Sequence, residues 1–231
     1  MKHLLLAAAF AVAAGLANAG TVQLVVTDRD GKPAPDVVVL VDAATRAAVV
    51  PAPAPVVITQ EDLRFVPFLT VVPLGSTLRF TNKDNYDHHV RSTPSGPLGS
   101  VAPAKSFELR LDAAGGDEPP ARPGAPLHKP ATGAKTTSGD VKVDAAGPIG
   151  LGCHIHASMR GQVYVSPTPL FAKTDTNGVA RIENVPDGSV DVTLWHADQL
   201  QDQAALKLQV GASAVLSSAQ LNFVPRRRRG S

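Results

Sequence analysis

Apolar residues recur at every second position along most of the chain, and Gly, Pro, Asn and Asp close the runs rather than helix caps. A period of two places alternate side chains on one face of a strand, so the pattern predicts an all-β protein. Val22, Leu24, Val26 and then Val37, Val39, Val41 make a first strand pair, joined through Asp30-Gly31-Lys32-Pro33, which has the chemistry of a turn. Residues 43–57 are rich in Ala, Val and Pro and predict an extended connector. Strands resume from Leu63, at 65–72, 77–80, 88–91 and 107–111. Between 113 and 139 the chain is dominated by Gly, Pro, Ala, Thr and Lys and has little to bury, which predicts a long surface loop. Alternation returns at Val141 and continues to Val165.

A second grammar begins after Pro167 and Pro169. Asp175-Thr176-Asn177-Gly178 and Pro186-Asp187-Gly188 punctuate short strands at 171–173, 179–182 and 190–194, and Leu206–Val210 and Leu221–Phe223 read as two more. Together they predict a small antiparallel β-sandwich, with Trp195 in its core and His196 at a strand end.

Residues 1–19 change the picture of compartment. Lys2, the apolar run Leu4–Leu16 and the closing Ala17-Asn18-Ala19 have the order of a secretory signal, with cleavage expected before Gly20 and the periplasm as destination. The run is short for a spanning helix, and nothing later supplies roughly 20 consecutive apolar residues, so no stable membrane insertion is expected. A net charge of +2 gives no case for a nucleic-acid partner. Cys153 is the only cysteine, so no intramolecular disulfide can form; a lone thiol in an oxidising compartment has to be buried or bound.

Candidate chemistry concentrates at two places. Gly152-Cys153-His154-Ile155-His156-Ala157-Ser158-Met159 sets thiolate, imidazole and thioether at C-x-x-H-x-x-M spacing, which a tight loop can curl around one point. Soft sulfur with imidazole selects copper, and a trigonal His, His, Cys set with a weak axial Met is the arrangement of electron-transfer copper. The loop lacks a second histidine. Asn82-Lys83-Asp84-Asn85-Tyr86-Asp87-His88-His89-Val90 can supply one, because a strand runs into a polar turn and two adjacent histidines open the next strand. Alternate strand residues face opposite ways, so one of the two points at the metal.

These residues resemble those of the cupredoxins, of the amicyanin and plastocyanin-like kind associated with methylamine utilisation. Phe65-x-Pro67, Val71–Gly75, Phe80-x-Asn82 and the C-x-x-H-x-x-M loop carry the likeness over about residues 60–166. The resemblance implies a cupredoxin-type Greek-key β-sandwich binding one copper ion, Cu(I)/Cu(II), through His88, Cys153, His156 and Met159, with His89 as the alternative to His88. One departure is His89 itself, which stands where most relatives have an Asn whose side chain tethers the two ligand loops. Thr174–Gly178 with Asn184–Gly188 resembles transthyretin-like, carboxypeptidase-regulatory-like β modules, and Val26–Pro33 resembles their opening strands. On that likeness residues 21–42 can pair with the C-terminal module, the metal domain being inserted between them.

The expected organisation is a signal peptide (1–19), a strand pair with connector (20–58), a copper domain (59–166) with a flexible loop at 113–139, a β module (167–225) and a basic tail (226–231). The expected function is one-electron transfer with a redox partner protein. Alternatives are copper delivery or storage, or an interaction sandwich with a vestigial site. No open coordination position or acid–base pair indicates an enzyme. His128, His154 and His196 are read as non-ligands. The signal predicts that exported protein begins at Gly20; N-terminal sequencing of a periplasmic extract checks this, and an uncleaved Met1 would reject it.

Overall fold

The computed structural model describes residues 19–45, 47–96, 98–114 and 135–226. The expected signal segment up to Asn18, His128 in its loop, and Arg227–Arg229 lie outside the described residues. Sixteen strands and no helix make up what is described.

Two sandwiches share the chain. In the first, β3 (Val56–Glu61), β4 (Arg64–Val66), β6 (Thr77–Asn82) and β9 (Ser138–Lys142) form a sheet of order β4-β3-β6-β9. The other sheet has order β5-β11-β10-β7-β8, from β5 (Leu69–Pro73), β7 (His88–Thr93), β8 (Glu108–Leu111), β10 (Gly147–Cys153) and β11 (Arg160–Ser166). Pairs β3–β6 and β5–β11 are parallel and the rest antiparallel. Ile58, Leu78 and Phe80 from one sheet meet Val90, Leu151 and Val163 from the other in one buried core. Burying each such side chain contributes about 1.5–3 kcal/mol, so the strand alternation is enough to fix which face turns inward.

The second sandwich is built from both ends of the described chain. Strand β1 (Ala19–Thr27) lies between β13 (Val179–Pro186) and β16 (Val215–Gln220), antiparallel to the first and parallel to the second. Facing it are β12 (Phe171–Lys173), β2 (Val38–Ala43), β14 (Gly188–Trp195) and β15 (Leu206–Val210), in the order β12-β2-β14-β15. Leu24, Val39, Val41, Ile182 and Val192 fill the space between. Strand β2 is buried on both faces. Val39 and Val41 point into this core, whereas Val38 and Leu40 join Leu69, Val71 and Tyr164 of the first sandwich in a third apolar cluster.

Several expectations are corrected. Trp195 packs in that third cluster, with its ring 4.9 Å from Tyr164, so it joins the two sandwiches instead of filling the second core. Residues 56–61 are strand β3 and not the end of a connector. The stretch 65–72 is divided at Pro67 into β4 and β5. The last strand is β16, ahead of Leu221, and its half-exposed alternation suits an edge. The loop at 113–139 also ends sooner, because Ser138 and Gly139 pair with Thr81 and Phe80 and the Asn82 N–H donates to the Thr137 carbonyl.

The turn at Gly178 holds three segments together. Asp175 Oδ1 accepts the N–H groups of Asn177 and Val179, and the Val26 N–H donates to the Gly178 carbonyl at 2.7 Å. Gly178 has φ +74°, and a Cβ there would collide with the Val26 carbonyl oxygen. Gly178→Ala should therefore lower stability by about 2–3 kcal/mol, measured by urea unfolding; a loss below about 0.5 kcal/mol would mean that this turn is not constrained.

Candidate metal centre

Strand β7 starts at His88 with its side chain facing the core, so the imidazole is fully buried, and the next residue necessarily faces outward. Strand β10 lies beside it, with Cys153 opposite Val90 at its last position. The chain then turns, and the Met159 N–H donates to the His156 carbonyl at 3.0 Å, closing a tight loop. This loop brings the His156 ring over the sandwich end, 4.9 Å from that of His88.

Three donor atoms converge there. Cys153 Sγ lies 3.6 Å from His88 Nδ1 and 3.6 Å from His156 Nδ1, and the two nitrogens are 3.2 Å apart. A point equidistant from all three is about 2 Å from each, close to the 2.0–2.3 Å of common metal–nitrogen and metal–thiolate bonds. The side chains therefore fit an ion without rearrangement of the backbone. Met159 is buried in the same core cluster as Cys153, one loop turn beyond His156. Among the described residues this is the one group of three or more His, Cys or carboxylate side chains close enough to hold a metal.

His89 does not belong to the cluster. Its Nε2 is 2.9 Å from Glu108 Oε1 on the outer face, and its ring lies tilted beside that of exposed His154, 5.6 Å between centroids. The expected tether between ligand loops exists but is main-chain. His154 N–H donates to the His89 carbonyl at 2.9 Å, and the His89 N–H donates to Cys153 Sγ at 3.5 Å. A side-chain amide at 89 is thus unnecessary. His196 lies elsewhere, buried at the end of β14, where its Nδ1 accepts the Asp198 N–H at 3.0 Å.

Behind His88 stands a group that the pattern of donors alone did not reveal. Asp84 Oδ2 lies 2.8 Å from His88 Nε2, which fixes the tautomer that leaves Nδ1 bare for a metal. The carboxylate also accepts the N–H groups of Asp62 and Leu63 at 2.8 and 3.2 Å. Those two residues are the tip of the β3–β4 hairpin, both at positive φ as a two-residue turn of this hand requires. Asn82 shapes the intervening turn, donating to the carbonyls of Tyr86 and Asp112 and accepting the Asp84 N–H, all at 2.8 Å. The Tyr86 ring leans on both imidazoles, at 5.4 Å from His88 and 5.2 Å from His156. The spacing of Asp84, four residues before His88 in a polar turn, was the available signal.

Titration follows from these contacts. Burial on its own would raise the Asp84 carboxyl, but hydrogen bonds from His88 and from the Asp62 and Leu63 N–H groups outweigh it and hold the group below the ordinary aspartate value. His156 is pushed down by burial and then by His88, partly offset by Asp84, so it is neutral and able to donate its lone pair near pH 7. Burial and the Asp84 charge push the Tyr86 phenol up, so it stays protonated.

No protein-family model matches the chain. No curated protein matches it either. Among solved structures it is similar to a copper-containing nitrite reductase from Thermus scotoductus, at 16% identity and a TM-score of 0.35. That match covers 61% of this chain and 28% of the reductase, so the chain spans under a third of that protein. It is similar also to amicyanin from Paracoccus versutus, at 18% identity over 55% of this chain and 97% of that one, TM-score 0.33. A purple cupredoxin from Nitrosopumilus maritimus gives 19% identity over 49% and 99%, TM-score 0.32. Among the described residues the fold is all-β, a two-sheet sandwich that carries the donor cluster with a second β module beside it, as the strand order above describes.

A carboxyl held below its ordinary value stabilises the folded chain above that value and loses the contribution as pH falls through its folded value. Asp84→Asn should thus destabilise the metal-free protein by about 1–3 kcal/mol at pH 7, with the difference shrinking below about pH 4. Urea unfolding of both proteins across pH 2–8 measures it. A difference independent of pH would remove the carboxylate from this account.

Proposed function

We propose that the protein is a blue (type 1) copper protein that carries single electrons outside the cytoplasm. The observation that carries the reading is the triangle of Cys153 Sγ, His88 Nδ1 and His156 Nδ1, with sides of 3.2–3.6 Å. One thiolate and two imidazoles suit copper, and Met159, following at loop spacing, is the weak fourth donor. His88, Cys153, His156 and Met159 would hold the ion, which supplies one-electron chemistry by passing between Cu(II) and Cu(I).

The chain's own residues account for fast, clean exchange. Cys153 and His88 are buried at the ends of two paired strands, so neither can follow a geometric preference of one oxidation state. The Asp84 hydrogen bond stops His88 from rotating, and the His154–His89 backbone bond locks the two loops to each other. Tyr86 covers the imidazoles and limits access of water. His156 is half-buried beside Ile155 and Tyr86, which are 48% and 40% exposed, so electrons leave and enter at this apolar end.

The copper-loaded protein should show the strong visible absorption of a thiolate–Cu(II) bond, and Cys153→Ser should abolish it. Met159→Leu should retain copper with a shifted reduction potential, a milder outcome than His88→Ala, which should lose the colour; His89→Ala should keep it. Absorption and voltammetry of the four variants decide the matter. A colourless protein that takes zinc as readily as copper would exclude electron transfer.

A further inference from the structure

The outer face of the β5-β11-β10-β7-β8 sheet carries an unusual set of charges beside the metal-binding end. Register places Arg91 of β7 opposite both Glu108 of β8 and Gly152 of β10, and Gly152 opposite Arg160 of β11. Two residues along β7, His89 opposes Arg110. Directly opposed residues share a face, and Val90 on the intervening rung is buried, so Arg91, Arg110 and Arg160 all point outward and are exposed. Among the described residues none of the three guanidiniums has an acidic partner, and Glu108, the one carboxylate between them, is engaged by His89.

The same face is hollow. The second sandwich covers its β5–β11 end through Trp195 and Tyr164, and a cleft of about 730 Å³ remains where that cover stops. Phe68, Pro94 and Gln162 line it from the first sandwich; Asp198 and Arg226 line it from the second, with Arg160 at its edge. A Cβ on Gly152 would lie 3.1 Å from Thr93 Cγ2 and 3.4 Å from Arg160 Nη1, so the Arg160 guanidinium lies over this glycine on the outer face. Asp198 Oδ2 accepts the Arg226 N–H at 2.9 Å, and Arg226 lines the opening.

We propose that this cleft and the arginine-bearing sheet face beside it dock an acidic polypeptide segment of a partner protein. Three unpaired guanidiniums within two strands of Cys153 attract carboxylates, and a trough between two modules admits an extended segment but not a flat lipid surface. Under the electron-carrier reading, on which this part rests, the segment belongs to the redox partner and holds it with the apolar His156 end free to meet the partner's own centre.

Anisotropy of fluorescein-labelled hexaglutamate with the full-length copper-loaded protein tests the docking site at low salt. R91E/R160E should weaken binding at least about tenfold, R91Q/R160Q by less, and K142E on the opposite sheet should change little. The difference should fade above about 0.5 M salt. Undiminished binding in R91E/R160E overturns the proposal, as does tighter arginine-dependent binding to phosphatidylglycerol vesicles than to the peptide. Electron exchange separates this site from the function: R91E/R160E should slow reaction with hexacyanoferrate(III) and speed it with tris(phenanthroline)cobalt(III). If hexaglutamate binds as predicted but neither complex exchanges electrons, the carrier reading fails and the docking site stands.

Discussion

Cys153 and His88 are 65 residues apart in sequence and 3.6 Å apart in space, and the rest of the structure serves to keep them so. Two donors at the ends of neighbouring strands are brought together by the ladder itself: Cys153 pairs with Val90, so His88 is two residues from a fixed rung. The His154 N–H to His89 carbonyl bond extends that ladder one step into the loop. Without it the ligand loop would be free to swing away, and the thiol would be an ordinary buried hydrophobe.

Support for this meeting point comes in layers. The β3–β4 hairpin tip donates two N–H groups to Asp84, Asp84 holds His88, and Asn82 fixes the turn between them. A buried carboxylate without such donors would be costly, so hairpin and site depend on each other. Farther out, Val38, Leu40 and Trp195 press the second sandwich onto β5 and β11, opposite the core that contains Cys153. The second module thus shapes the open face beside the metal end as well as covering part of it.

Much of the architecture was legible in the period-two alternation, because a half-buried strand must alternate. Hairpin punctuation at Asp30-Gly31 and Asp175–Gly178 is visible for a similar reason, since those turns demand particular residues. What escaped reading were elements without either signal. Strand β3 begins in a run of Pro, Ala and Val, and its turn at Asp62-Leu63 carries no glycine. Strand β16 is an edge strand with little to bury. Trp195 reads as core in any sequence, and only the docking of two sandwiches says which core. At the centre, the soft donors could be picked out by type and spacing. The choice between adjacent histidines could not, because it depends on which face of β7 turns inward. Asp84 offered only its spacing, four residues before His88, and that does not show that the turn shaped by Asn82 brings the two side chains together.

A copper carrier of this kind requires one sulfur and two nitrogens to converge on a single ion. X-ray absorption at the copper edge, on protein loaded with one equivalent, measures this directly. One sulfur and two nitrogen scatterers at bonding distance are expected, with the sulfur contribution absent from Cys153→Ser. Copper surrounded by nitrogen and oxygen alone in the unaltered protein would contradict it.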